Sequence, residues 1–134
     1  MRPSEIYYSQ DSIKNTFDNG QSIYSTLRMC KEDPFEIDLI PRMRVCMKNG
    51  KWFTLDNRRL WVFRGLEESG HITLVDVIRV SSDRLTARKF TTTNGGVSVR
   101  IRQPRVDFDD QDGYDDDELF DGSDDFLDFD DFWY

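Results

Sequence analysis

Apolar residues recur along this chain with two periods, and the switches between them divide it into elements. Residues 5–8, Glu-Ile-Tyr-Tyr, form a short β-prone run. Ser9 then stands where a helix N-cap would, and Ile13 and Phe17, one helical turn apart, predict a short helix over 10–17. Asp18-Asn19-Gly20 stops it, because Asn and Gly accept the left-handed backbone of a helix end. Ser22 caps a second predicted helix, 23–30, whose Ile23, Leu27 and Cys30 share a face. The stretch 31–38 is broken by Pro34 and reads as a loop. Alternation follows: Met43, Val45 and Met47 against Arg44, Cys46 and Lys48 predict a half-exposed strand. Asn49-Gly50 is a two-residue hairpin signal, and 51–55 returns as the partner strand, with Trp52 and Thr54 on one face and Phe53 and Leu55 on the other. Asp56 reads as the N-cap of a third helix, 57–69, with Leu60, Phe63 and Leu66 as its buried stripe, Val62 at its flank and Gly70 as its stop. Residues 72–80 read as a mostly buried strand and 81–89 as a polar link with helical character. Asn94-Gly95-Gly96 marks a turn. A last strand, 97–101, places Arg100 and Arg102 opposite Val99 and Ile101, and Pro104 closes the domain.

Charge adds a division that the periodicity lacks. All 18 Lys and Arg lie at or before Arg105, whereas 12 of the 26 acidic residues precede Asp107 and 14 follow from it. The chain is therefore a domain of 1–106 carrying 18 − 12 = +6 and a tail of 107–134 carrying −14. The tail is Asp runs with Phe108, Tyr114, Phe120, Phe126, Phe129, Phe132, Trp133 and Tyr134 among them. Like-charge repulsion at this density opposes collapse and predicts intrinsic disorder of the C-terminus in isolation. Such a strip is expected either to lie across its own basic domain as a polyanion, weakening the domain's hold on phosphate-rich ligands, or to dock a protein partner.

Cys30, Cys46 and the single His71 are too few for a zinc set, and neither zinc nor haem is expected. No apolar run approaches the ~20 residues of a membrane span, so no membrane partner is expected. The absence of a signal-like stretch and of a disulfide framework predicts an intracellular protein, cytoplasmic or nuclear.

The stretch with chemical content is Lys-Trp-Phe-Thr-Leu-Asp-Asn-Arg-Arg-Leu, 51–60: a strand, a turn and a helix start bearing two arginines. Cations are disfavoured at a helix N-terminus by about 0.3–1 kcal/mol each. A sequence that accepts this cost can use it, because free amides, the dipole and guanidinium forks together bind phosphate. Asp56 could cap the helix or hold Mg²⁺ beside a triphosphate. The competing reading makes Arg58 and Arg59 solvated helix residues paired with Asp56, Glu67 or Asp76. Trp52 and Trp61 read as core or rim aromatics, and Cys30 and Cys46 as packing residues.

The order of elements, with Asp56-Asn57-Arg58-Arg59 opening a helix after a hairpin, resembles the ParB/sulfiredoxin superfamily. ParB proteins carry Gly-Glu-Arg-Arg or Gly-His-Arg-Arg at this turn, and sulfiredoxins Gly-Cys-His-Arg. The resemblance covers about residues 5–80. It implies a small α+β domain, short helices packed on a mixed sheet with a β-hairpin, followed here by the acidic tail. It implies nucleotide or phosphate binding through Asn57, Arg58 and Arg59, Arg59 above all, with NTPase or phosphotransferase activity in several members. Asp56 is then the candidate for catalytic proton work and for Mg²⁺ accompanying a nucleoside triphosphate. Asn57 stands where sulfiredoxin has its cysteine nucleophile, which excludes sulfiredoxin chemistry. The alternative is a catalytically silent module that binds nucleic acid or an acidic protein through a basic face of Arg42, Arg44, Arg100 and Arg102.

Overall fold

The computed structural model describes residues 1–103. The expected domain boundary near 106 and the acidic tail of 107–134 lie outside the described residues. A 3-10 turn over Pro3–Glu5 leads into β1 (Ile6–Tyr7) and β2 (Ser12–Ile13). Then come α1 (Ile23–Glu32), α2 (Pro34–Asp38), β3 (Met43–Lys48), β4 (Lys51–Thr54), α3 (Asn57–Glu68) and β5 (Val77–Arg79). A second 3-10 turn (Ser82–Arg84) and β6 (Arg100–Ile101) complete a mixed α+β domain. One sheet runs β1-β4-β3-β5, antiparallel only between β3 and β4, and a two-residue parallel ladder joins β2 to β6.

The sheet separates two apolar clusters. On one face Ile6, Met43 and Val45 pack with Ile23 and Cys30 of α1 and Leu60, Val62, Phe63 and Leu66 of α3. Gly65 permits the close approach of the two helices, since a Cβ there would fall 2.9 Å from a Leu27 methyl carbon. On the other face Cys46, Phe53, Leu55 and Leu85 are buried, with Tyr7, Val80 and Phe90 packed around them. The segment 81–96 closes this second face. Gly96, at φ +83°, fits against β1 where a Cβ would come within 2.9 Å of Tyr7 Cβ.

The hairpin forms as expected. Asn49 and Gly50 have φ of 54° and 81°, the pair of positive values a type I′ turn requires. Ser22 caps α1, accepting from the Tyr24 and Ser25 N–H groups. Four expectations need correction. Residues 10–17 form no helix: the Ser9 N–H donates to Asn57 Oδ1 at 2.8 Å and its hydroxyl to the Thr54 carbonyl at 2.7 Å, which ties the expected cap to α3 and β4. Residues 34–38 are helical, because Pro34 occupies the first turn, where its missing N–H costs nothing, and Asp33 accepts from the Phe35 N–H. The strand expected over 72–80 contracts to Val77–Arg79 at the sheet edge, leaving Leu74 and Ile78 exposed. The strand expected over 97–101 contracts to its last two residues.

Candidate functional site

The four residues singled out by sequence, Asp56 to Arg59, form the entry and first turn of α3, and each is no more than 5 % exposed. Asp56 occupies the N-cap position without making a side-chain cap. Its carboxylate instead accepts from Arg44 three times: the backbone N–H at 2.7 Å, Nε at 3.1 Å and Nη2 at 2.6 Å. A fork of charge-assisted bonds outcompetes a single helix amide, which explains why the expected cap is not made. Arg59 adds a second cation, 3.5 Å from Asp56 Oδ2.

Asn57 reaches back to the chain between β1 and β2. Its Oδ1 accepts from the Ser9 and Gln10 N–H groups at 2.8 and 3.3 Å, and its Nδ2 donates to Ser9 Oγ at 3.0 Å. Arg58 donates to the Thr16 carbonyl at 2.6 Å, lies over the Phe17 ring and sits 3.6 Å from the Asp18 carboxylate. Arg59 donates to the Arg42 carbonyl at 3.1 Å. Neither arginine is a solvated helix residue. Of the pairings expected for them, Asp56 with Arg59 is realised, whereas Glu67 instead accepts from the N–H and hydroxyl of Ser4. The motif thus gathers three stretches of backbone, 9–10, 16 and 42–44, around the start of α3. Both Asp56 oxygens face arginine, an arrangement that does not present this carboxylate to Mg²⁺, so no catalytic step is assigned to it.

Beside this knot lies a small recess of about 10 Å³, room for roughly one water-sized group at its floor. It is lined by Ser9, Gln10, Arg44, Leu55, Asn57, Leu85 and Lys89. It therefore opens at the positive end of the α3 dipole, with Arg44 and Lys89 among its walls. Sequence pattern singles out Asn57 and Arg44 from this set. Ser9 reads as a helix cap, and Gln10 and Lys89 carry no signal, because nothing in the sequence places the 81–96 segment against this end of the sheet.

The four arginines of the expected basic face belong to two sheets. Arg42 and Arg44 lie at β3, whereas Arg100 and Arg102 lie at β6. Arg44 is engaged by Asp56, Arg100 by Asp11 at 2.9 Å, and Arg102 donates to Ser12 Oγ. Trp52 and Trp61 sit at the rim of the first cluster, as expected, Trp61 edge-to-face with Tyr24. Both cysteines are buried free thiols; burial, reinforced by Glu36 and Asp33, pushes Cys30 up to about 11, and burial also raises Cys46. Among the described residues no helix is long and apolar enough to cross a membrane. The chain matches no family model, no curated protein and no solved structure.

Proposed function

We propose that this chain is a phosphate-binding module of ParB/sulfiredoxin-like build that holds its ligand without chemical turnover. The observation that supports the reading is the recess at the start of α3, where Arg44 and Lys89 join Ser9, Gln10 and Asn57 around a helix N-terminus. A phosphoryl oxygen entering there meets the cationic side chain of Lys89 and the side-chain amide of Gln10, beside an Arg44 that Asp56 holds in place. Arg58 and Arg59 do not line the recess; they hold the chain around the start of α3 through the Thr16 and Arg42 carbonyls rather than touching the ligand. The use of Asp56 as the counter-ion of Arg44 and Arg59 favours binding over NTPase or phosphotransferase activity.

The test is a thermal-shift series of the protein with ATP, CTP, GTP and inorganic pyrophosphate, each with and without Mg²⁺. A ligand that binds only the native state at a hundred times its Kd adds about 2.7 kcal/mol of stability. At least one phosphate compound is expected to raise Tm, and Lys89→Glu to remove the shift while leaving the unliganded Tm close to that of the parent. No shift with any of the four ends the proposal.

A further inference from the structure

The recess is one end of a longer feature. On β3, Arg44, Cys46 and Lys48 point to the same sheet face, the one covered by 81–96, and Lys48 stands directly opposite Lys51 across the hairpin. Like charges facing each other across a strand pair are destabilising, and this pair is nevertheless seated on fixed supports. Lys48 Nζ lies 5.2 Å from the Phe90 ring centroid and Lys51 Nζ 4.9 Å from that of Tyr7. The two rings flank Phe53, with centroids 5.0 and 5.8 Å from it, so one aromatic cluster carries both ammonium groups. Among the described residues neither lysine has a carboxylate within ion-pair distance. Lys89, on the wall of the recess, is the chain neighbour of Phe90, which continues the line from the hairpin tip to Arg44. The covering segment 81–96 brings Arg84, Arg88 and Lys89 against one acid, Asp83, which is bonded to Ser81.

Four cations therefore line the hairpin and its cover: Arg44 and Lys48 on β3, about 13 Å apart by strand geometry, Lys51 on β4 and Lys89 on the covering segment. The apolar components of the strip are covered: Cys46, Phe53, Leu55 and Leu85 are buried, and Tyr7 and Phe90 each hold an ammonium group over the ring. Such a surface offers charge at regular intervals but no apolar seat for the side chains of a peptide. Taking the phosphate reading of the recess as its premise, we infer that the ligand is a single-stranded nucleic acid. Its phosphates run along Lys51, Lys48, Lys89 and Arg44, with an oxygen of one of them in the recess, and its bases turn outward unread. Recognition is through the backbone and indifferent to sequence.

Fluorescence anisotropy of the full chain with a labelled 20-nucleotide single strand tests this. Four phosphate contacts on a single strand give a log–log salt slope of about −2.8, hence about 50-fold weaker binding at 200 than at 50 mM salt. Lys48→Glu with Lys51→Glu is expected to weaken binding at least tenfold at 50 mM and to reduce the slope to about −1.4, the value for two contacts. Lys48→Gln with Lys51→Gln, which removes charge without reversing it, serves if the first pair disturbs folding, as checked by circular dichroism. No binding by the full chain at 50 mM salt overturns the inference, as does unchanged affinity and slope in the lysine variants. An Asp-rich peptide of equal charge that binds more tightly, with the same lysine dependence, also overturns it and makes the strip a surface for acidic proteins. A nucleotide-induced thermal shift that needs Lys89 but not Lys48 or Lys51 keeps the phosphate reading while the strand inference falls.

Discussion

Replacing Asp56 with Asn separates a carboxylate that serves the fold from one kept for chemistry. The change is nearly isosteric and removes only the charge. In the native protein that charge faces Arg44 through three hydrogen bonds and Arg59 at 3.5 Å, with the Asp56 side chain 1 % exposed and that of Arg44 14 %. Breaking a buried pair from one side leaves the partner charge uncompensated, at about 3–5 kcal/mol. The partial exposure of Arg44 favours the lower end, about 3 kcal/mol. Against a total stability of roughly 5–15 kcal/mol this is a large loss. In a domain of this size it lowers Tm by about 12–24 °C. Urea denaturation followed by far-UV circular dichroism measures the difference directly. A cycle with Arg44→Met attributes it: the double variant should lose at least about 1 kcal/mol less than the sum of the two single losses, because removing both partners removes the stranded charge. A loss below about 1 kcal/mol on Asp56→Asn, with no coupling to Arg44, would falsify the structural role assigned here.

Asn57→Ala strands the buried Ser9 N–H and the part-buried Gln10 N–H and should cost about 2 kcal/mol in the same denaturation assay. Cys30, with its thiol pushed up to about 11 chiefly by burial, should resist iodoacetamide at pH 8 in the native protein and react at the ordinary rate in urea; equal rates in both would contradict its burial. The bonds from Arg100 and Thr93 hold the Asp11 carboxyl below its usual range, so the stability it adds is present above that range and disappears as pH falls through the lowered value. Asp11→Asn should therefore differ from the parent by less than about 1 kcal/mol at neutral pH, as suits an exposed pair, and not at all in strong acid. The chain cut after Val106 should bind phosphate-rich ligands more tightly than the full chain at low salt, with the gap closing as salt rises; equal affinities at low salt would show that the tail ignores its own domain.

Local rules read the centre of the chain well. Asn49-Gly50 specifies its own positive φ angles, Ser22 bonds the amides just after it, and the Leu60–Phe63–Leu66 stripe needs only helical periodicity. The failures are long-range. Ser9 resembles a cap because it is a small hydroxyl before an amphipathic stretch, yet its partners are Thr54 and Asn57, more than forty residues away. Residues 72–80 are apolar enough for a central strand, but β5 ends up at the sheet edge, a position set by strand order rather than by its own composition. Arg58 and Arg59 look like surface or ligand-binding residues because they are charged. Their partners include the Thr16 and Arg42 carbonyls, and a carbonyl leaves no mark in a sequence. The recess shares that difficulty, since Lys89 joins it only through the path of 81–96 across the second sheet face.

The β2–β6 ladder sets the order in which the domain can be completed. Ser12 pairs with Arg100 and Ile13 with Ile101, partners 88 residues apart, through only two residue pairs. Closing a chain loop of that length costs about 4 kcal/mol in entropy before any contact compensates it. Two pairs cannot supply that alone, so the ladder forms only after the four-stranded sheet has brought its ends together. A chain emerging from the ribosome therefore carries Ser12 and Ile13 without their strand partner until β6 has been made. During that interval the segment between β1 and α1 is held by the burial of Ile13 and Phe17, by the Ser9–Thr54 bond, and by the grip of Asn57 on Ser9 and of Arg58 on Thr16. The Asn57-Arg58 pair is thus one of the clamps that keep the first part of the chain in place until the last strand arrives.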